Sequence, residues 1–462
     1  MMKPAMNQVR FDHPLFSPLG LDSSSRALVV GLGKTGLSVA RFLTRHSIKL
    51  AVVDSRENPP GLADLRELLP DVAVFLGGFD PAAFARATHL IVSPGVALDT
   101  PAVHQAIKVG IPVLGDLDLF ACMAKAPVVA ITGANGKSTV TTLVGLMAEA
   151  DGRKVRVGGN LGTPMLDLLD ETAELYVLEL SSFQLELAKL LEPLAATVLN
   201  ISPDHMDRYP DVKAYAEAKR RIFRGQGVMI LNADDPVVAA MAEPGRRCAW
   251  FGLRAAAPLD YGVRSIDGEE WLVRGDEPFL RSAEVRIKGR HNISNSLAAL
   301  ALGDAAGFSR LAMMEALRKF PGLDHRMQWV ADIDGVAWVN DSKATNIGAC
   351  IAALEGLTEK AVLIAGGDGK GADFSALAPV AAKRLRAAVL MGRDAARLDA
   401  VLKAVVPTVR VEKMKQAVEA ARMLAQTGDT VLLAPACASL DQYRDYQERG
   451  QMFAEAVRSL SA

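Results

Sequence analysis

Cysteine is scarce: only Cys122, Cys248, Cys350 and Cys437 occur in 462 residues, far apart and without a CxxC pair. That spacing argues against a disulfide scaffold or a cysteine-built zinc site and fits the reducing cytosol. A surplus of either charge is missing too, since 52 Lys and Arg face 53 Asp and Glu. A chain that coats nucleic acid or anionic membrane carries a basic excess, so neither partner is expected. No uncharged apolar run reaches the ~18–20 residues of a membrane helix, so no membrane insertion is expected. The first 26 residues hold charges, prolines and serines where a signal peptide would have an apolar core. Repeats and low-complexity tracts are absent, which removes a solenoid. Half of the chain is hydrophobic, which excludes disorder as the main state. A cytoplasmic, multidomain protein is expected.

What is present is an alternation of short apolar runs with helix-length segments, the pattern of parallel sheets with crossover helices. At ~100–200 residues per domain the length suits three domains. Residues 1–26 read as an extension, and 27–115, 116–322 and 323–462 as three α/β domains. Buried-type strands are expected at 27–30, 50–53, 128–132, 176–180 and 197–200. In the last domain they fall near 336–340, 361–365, 387–391, 408–411 and 430–434. The break Phe320-Pro321-Gly322 marks the second linker. The stretch Gly262–Lys288 reads as twisted β or loop.

Two glycine turns follow strands and open helices. Gly31-Leu-Gly33-Lys34-Thr35-Gly36 has the dinucleotide-fingerprint spacing, with Asp54 ending the next strand where a ribose hydroxyl is often held. The same turn fits a nicotinamide cofactor, any other nucleotide diphosphate, or a bare tight turn. Gly133-Ala-Asn135-Gly136-Lys137-Ser138-Thr139 reads as a phosphate-binding loop. Its amides would cradle phosphates, Lys137 would reach the β/γ end, and a hydroxyl would meet Mg²⁺. A third turn, Gly366–Lys370, ends a strand; Lys370 there is either a ligand contact or a solvated lysine.

Polar residues at strand ends add to this. Glu179 interrupts a buried apolar run, where a carboxylate is costly unless paired or metal-bound. His205 follows the strand at 197–200 beside Asp204, in reach of a ligand role. From composition alone Lys219, Arg220 and Arg221 are solvated helix charges. Asn292 and Asn295, three residues apart, share a helix face. The cluster Asn340-Asp341-Ser342-Lys343-Ala344-Thr345-Asn346 is too polar for a mere turn. Arg326 lies just past the second linker, placed to reach across to a γ-phosphate. Cys437 has no basic neighbour and reads as buried.

Taken in order, GLGKTG (31–36), SPG (93–95), GANGKST (133–139), ELSSFQL (179–185), SPDHMDRYP (202–210), GRHNISN (289–295), DHR (324–326), NDSKATN (340–346), GGDGK (366–370) and PACASLDQY (435–443) resemble the Mur ligases of bacterial cell-wall synthesis. The likeness spans about residues 27–460. It implies a Rossmann-like N-terminal domain, a central P-loop ATPase-type domain and a C-terminal doubly wound Rossmann-like domain. The implied reaction is ATP-dependent addition of an amino acid to a UDP-muramyl precursor. The combination of DHMDRY, GGDGKGADF and PACASLDQY points to D-glutamate and UDP-N-acetylmuramoyl-L-alanine as substrates. Another Mur-type ligase or a folylpolyglutamate-synthase-like enzyme is the nearer alternative, and a nicotinamide-dependent oxidoreductase the distant one.

The resemblance also implies roles. ATP would contact Gly133, Asn135, Gly136, Lys137, Ser138, Thr139, Asn292, Asn295, Arg326, Asp341 and Lys343. Two Mg²⁺ ions would involve Ser138, Glu179, His205 and a carbamate formed from CO₂ on Lys219. Lys137, His205, Lys219, Asn160 and Glu179 would serve catalysis. The UDP-substrate would be held by Gly33, Lys34, Thr35, Asp54, Ser55, Arg56, Ser93 and Gly95, with Asn160 and His205. D-Glutamate falls to Thr345, Lys370, Ser439 and Tyr446; the family pattern has Phe at the last position, so a backbone contact is implied there. A monomer is expected. Residues 253–287 carry no transferable motif.

Overall fold

The computed structural model describes residues 14–253, 260–287, 289–357 and 359–460. Parts of the expected extension (1–13) and of the segment 253–287 (254–259), together with Lys288, lie outside the described residues.

Three sheets follow one another along the chain. The first contains β1 (Arg26–Val30), β2 (Lys49–Val53), β3 (Ala73–Phe75), β4 (His89–Val92) and β5 (Val113–Leu114). Their order is β3-β2-β1-β4-β5, parallel throughout. Helices cover both faces of such a sheet, so its central strands are apolar at nearly every position. The chain runs outward from β1 to β3 and returns beside β1 as β4. A crevice therefore opens at the carboxyl ends of β1 and β4. The turns 31–36 and 93–95 lie there. The segment before β1 belongs to this body: Phe16, Leu19 and Leu21 are buried in its core. The Phe16 ring meets Phe42 edge-on at 5.9 Å and His46 at 5.3 Å.

The second sheet contains β6 (Val128–Thr132), β7 (Val155–Gly159), β8 (Leu175–Glu179), β9 (Ala195–Val198), β10 (Val228–Asn232), β11 (Cys248–Phe251), β12 (Tyr261–Ile266), β13 (Glu269–Arg274) and β14 (Glu277–Arg281). Its order is β14-β13-β12-β11-β10-β9-β6-β8-β7, with β12–β14 antiparallel. The stretch left open between twisted β and loop is thus a three-stranded meander. Asp267-Gly268 joins β12 to β13 with φ of 51° and 82°, the two-residue turn whose twist suits a hairpin.

The third sheet contains β15 (Gln328–Ile333), β16 (Val336–Asn340), β17 (Ala361–Gly366), β18 (Leu385–Met391), β19 (Thr408–Arg410) and β20 (Thr430–Leu433), in the order β15-β16-β20-β17-β18-β19. Only β15 is antiparallel, joined to β16 by another two-residue turn, Asp334-Gly335. All four cysteines are free thiols, and Cys437 is fully buried, its thiol pushed up to about 12 by burial. No described helix is long and apolar enough to cross a membrane.

Candidate functional site

Strand β6 is buried along its length and ends in the loop 133–136, after which the helix Lys137–Ala150 begins. Gly136 has φ of 84°, and a Cβ there would lie 2.4 Å from Asn295 Oδ1, so any side chain would strain the loop and push Asn295 aside. The loop therefore turns backbone amides and a helix N-terminus toward the adjoining cleft, an arrangement suited to anions. Lys137 Nζ donates to the carbonyls of Gly133 and Ala134, at 2.8 Å each. Burial lowers its pKa, while Glu179 and Asp204 pull the other way. From the end of β9, Asn200 grips the loop at both poles of Asn135: the Asn135 amide donates to Oδ1 at 2.8 Å, and Nδ2 donates to the Asn135 carbonyl at 3.1 Å.

Glu179 ends β8 at 2% exposure. Asn160 Nδ2 donates to its Oε1 at 2.5 Å, while Oε2 is buried without a hydrogen-bond partner. Burial alone would raise this carboxyl; the Lys137 charge and hydrogen bonds from Ser138 and Asn160 outweigh it and hold it below the ordinary glutamate value. It is an anion with one oxygen to spare. His205 has left-handed backbone at φ 57°, with Nε2 3.8 Å from Asp204 Oδ2. Burial takes its pKa down to about 4, so the ring is neutral at pH 7.

Lys219 departs from the solvated-charge reading. It is 1% exposed, with Nζ 3.2 Å from Thr132 Oγ1 and 4.6 Å above the Tyr215 ring. Burial, then repulsion from Lys137, lowers its pKa well below that of a free lysine. Arg220 and Arg221 do lie exposed, Arg220 pairing with Glu243 at 3.2 Å. The helix Val212–Arg220 turns one lysine inward and leaves its neighbours in water.

The third domain closes the cleft, whose volume is about 560 Å³. Arg326 Nη2 donates to Ser138 Oγ at 3.0 Å. Lys370, itself in left-handed backbone, places Nζ 3.1 Å from Asp204 Oδ1. Asn346 Nδ2 reaches Asp204 Oδ2 at 3.1 Å and Asn135 Oδ1 at 3.3 Å. Burial raises Asp341 to about 6 and lowers Lys343 to about 7. The Lys343 ammonium lies 3.8 Å over the Tyr446 ring, and the Tyr446 carbonyl accepts from Ser342 Oγ at 2.9 Å. Asn295 Nδ2 donates to Asn292 Oδ1 at 3.2 Å, both on the helix Arg290–Ala305, so the two side chains do share one face.

Most of the expected nucleotide-side residues therefore line one cleft together with Asn160, Glu179, His205, Lys219, Thr345 and Lys370. Ser439 and Tyr446 do not line it. Ser439 is buried one residue beyond the bridge between Asp368 and Ala438, and Tyr446 stands behind Lys343. The first-domain residues form a separate turn. There Asp54 Oδ2 accepts from the Leu32 amide at 2.7 Å and from Arg56 Nη2 at 2.7 Å, so this carboxylate braces the glycine turn. Ser93 Oγ donates to the Gly31 carbonyl at 2.8 Å, and a Cβ on Gly36 would lie 2.0 Å from that same oxygen. Gly33 and Gly95 have open space where a Cβ would point.

Asp204, Asn346, Thr132 and Arg208 are in the site's framework and were not among the expected site residues. Asp204 and Asn346 were legible as the polar neighbours of His205 and Thr345. Thr132 carries no signal beyond ending a strand. Among the described residues no three His, Cys, Asp or Glu form a metal cage.

Three family models match the chain in series: a Mur ligase MurD-like N-terminal domain over 25–115, a Mur ligase middle domain over 131–303, and a Mur ligase glutamate ligase domain over 325–437. The chain is 68% identical over 446 residues to the UDP-N-acetylmuramoylalanine–D-glutamate ligase of Methylococcus capsulatus, covering 96% of this chain and 97% of that one. It is 55% identical to the ligase of the same name from Nitrosococcus oceani, covering 96% and 99%. Among solved structures, UDP-N-acetylmuramate-alanine ligase from Thermotoga maritima aligns with a TM-score of 0.60 at 19% identity, over 94% of this chain and all of that one. A pseudomurein peptide ligase type C from Methanothermus fervidus aligns at 0.58 and 17%, over 95% and 100%. These structures share the fold.

Proposed function

The chain belongs to the Mur ligase family, and from that premise we propose that it joins D-glutamate to UDP-N-acetylmuramoyl-L-alanine, using ATP and releasing ADP and phosphate, in peptidoglycan precursor synthesis. The observation that carries the reading is the single cleft in which a phosphate loop, an anionic pocket and cations of a second domain converge. A nicotinamide oxidoreductase would leave that cleft without a task. The sister ligases differ in substrate, and the names of the relatives at 68% and 55% identity favour D-glutamate.

The chemistry follows from the residues. A carboxylate is a poor electrophile, so the L-alanyl carboxylate first attacks the γ-phosphorus of ATP, breaking its bond to the β,γ-bridging oxygen and releasing ADP, and becomes an acyl phosphate. The amine of D-glutamate then adds to the acyl carbon, and phosphate leaves from the tetrahedral intermediate. Lys137 would exchange its loop carbonyls for phosphate oxygens, and Arg326 would stabilise charge on the transferred group from across the domain boundary. Asn292, Asn295, Asp341 and Lys343 would hold the rest of the nucleotide. Lys370 and Thr345, which line the cleft, would hold the carboxylates of the amino acid in one handedness. The turns 33–35, 54–56 and 93–95 would hold the UDP end. Holding three reactants in line is an entropy problem that closure of the third domain on the second solves.

The residues fit Mg²⁺: Glu179 Oε2 is a buried anionic oxygen with no partner, Ser138 lies against the same pocket, and His205 is neutral. Glu179, Ser138 and His205 would hold the ions, with Lys219 as a carbamate, and the metal would supply neutralisation of phosphoryl charge. An amine depleted of its proton is the form that adds CO₂, and burial favours that form at Lys219. The test is an ADP-release assay with ATP, Mg²⁺, a panel of UDP-muramyl precursors and a panel of amino acids. D-Glutamate with UDP-N-acetylmuramoyl-L-alanine should turn over, whereas L-glutamate and diaminopimelate should not. Equal turnover with L-glutamate overturns the substrate reading.

A further inference from the structure

Arg208 is assigned to neither substrate, yet its guanidinium stands where the first and second domains meet. Nη1 donates to the Pro94 carbonyl of the first domain at 2.7 Å, and Nη2 donates to Glu186 Oε2 of the second at 2.7 Å. The side chain is 13% exposed, and its Cζ lies 4.2 Å above the centre of the Phe183 ring. On one side, Pro94 follows Ser93, whose hydroxyl fastens the glycine turn through the Gly31 carbonyl. On the other, the Phe183 ring meets the His205 ring edge-on at 4.7 Å, and the amides of Arg208 and Tyr209 both donate to the His205 carbonyl at 3.0 Å. Tyr209 completes the clamp by donating to Glu186 Oε1 at 2.5 Å.

One planar fork, carried by the same loop as His205, thus joins the turn proposed for the UDP end to Glu186 and lies over Phe183, against which the His205 ring packs. The guanidinium that holds the 93–95 turn therefore shares the Phe183 ring with His205, one on its face and the other edge-on. His205 is sensitive to a shift of that ring, since its left-handed backbone is a conformation the surroundings must impose. Two other links between these domains, among the described residues, lack this property. Arg41 pairs with Asp167 at 2.6 Å, and Lys189 donates to the Val113 carbonyl at 3.0 Å; neither touches a ligand turn.

We propose that Arg208 is a positioning residue that couples the two ligand sites, so that the UDP-substrate and Mg²⁺-nucleotide tighten each other's binding. The proposal rests on the reading of the substrates given above. A bidentate guanidinium suits the task because both prongs are fixed in one plane, which a lysine cannot reproduce.

The experiment measures the dissociation constant of UDP-N-acetylmuramoyl-L-alanine by calorimetry, with and without saturating Mg²⁺ and a non-hydrolysable ATP analogue. The reverse titration must give the same ratio, because coupling is reciprocal. The unaltered chain should show mutual tightening of about 5-fold or more, within the usual range for coupled sites. In Arg208→Lys each ligand alone should bind within about 3-fold of the unaltered chain, while the tightening falls to within about 2-fold of none. Arg41→Ala, which breaks a domain contact away from the ligand turns, should keep it. Should Arg208→Lys fail to fold, Glu186→Gln takes its place with the same expected result. Full tightening in the Arg208 or Glu186 variant, or none in the unaltered chain, overturns the coupling. A chain that binds neither ligand defeats the substrate reading and this proposal with it.

Discussion

Replacing Asp116 with asparagine should make the protein more stable above pH 6. Asp116 opens the helix Asp116–Met123 at the junction of the first two domains and is 3% exposed. Its Oδ2 accepts from Gln184 Nε2 at 3.2 Å, its Oδ1 is buried without a partner, and Asp118 beside it is fully buried. Burial pushes its pKa from 3.8 up to about 6. A rise of about two pK units is ~3 kcal/mol of destabilisation when the group is ionised. Against this, a negative charge in the first turn of a helix gains ~0.3–1 kcal/mol, which asparagine forfeits. The side-chain oxygen facing Gln184 survives the change, and an unpartnered oxygen becomes an unpartnered amide, so those contributions nearly cancel. The balance is ~2 kcal/mol in favour of the variant, about 4–8 °C in the melting temperature of a domain of ~200 residues. The sign of the pH dependence follows from the raised pKa. Below about 4 the acid is neutral in both folded and unfolded chains, and the cost is absent. Between about 4 and 6 the folded chain holds the extra proton, so stability falls with rising pH, and above 6 the cost is fully present. Thermal unfolding of both proteins from pH 4 to 8 should therefore show curves that meet at the acid end and separate through pH 6. A gap of constant size, or a variant less stable at pH 8, would refute the reasoning.

Lys137→Ala should remove acyl-phosphate formation, lowering turnover ~100–1000-fold, the usual effect of losing one donor that stabilises transition-state charge. Calorimetry should find UDP-substrate affinity nearly unchanged, because that ligand's turns lie on another domain; a parallel loss would contradict the assignment of sites to domains. Lys219→Ala should cause a large loss of activity, partly restored by acetate or formate occupying the vacated carboxylate position. Arg220→Ala, exposed one residue further on, should be close to harmless. Equal tolerance at both positions, or no rescue by small carboxylates, would show that Lys219 acts only through packing.

The buried parallel strands were legible because helices cover both their faces, leaving uninterrupted apolar runs such as Val128–Thr132. The meander at 261–281 was readable in principle, since Asp267-Gly268 between two short segments containing β-branched and aromatic residues is a hairpin signal; the same signal at Asp334-Gly335 announces β15. The packing of the segment before β1 was not legible, because Phe16, Leu19 and Leu21 belong to no periodic run and their burial depends on helices that follow. In the site, the phosphate loop was plain from local spacing. The inward turn of Lys219 was not: it depends on Thr132, 87 residues away, and on Tyr215 one helical turn back. The Lys370–Asp204 pair spans 166 residues and two domains, and only the packing of those domains joins them.

The cations of the cleft all have protein partners: Lys137 on two carbonyls of its own loop, Arg326 on Ser138, Lys370 on Asp204, Lys343 on the face of Tyr446. An anion arriving among them would compete with these partners for part of each cation's donors. Such competition would lower net affinity while keeping the donors oriented by their partners. It also makes departure easy, since a leaving phosphate or ADP hands each cation to a neighbour a few ångströms away and strands no buried charge. For an enzyme that must discharge three products every cycle, that reversibility of internal pairing favours turnover over tight retention.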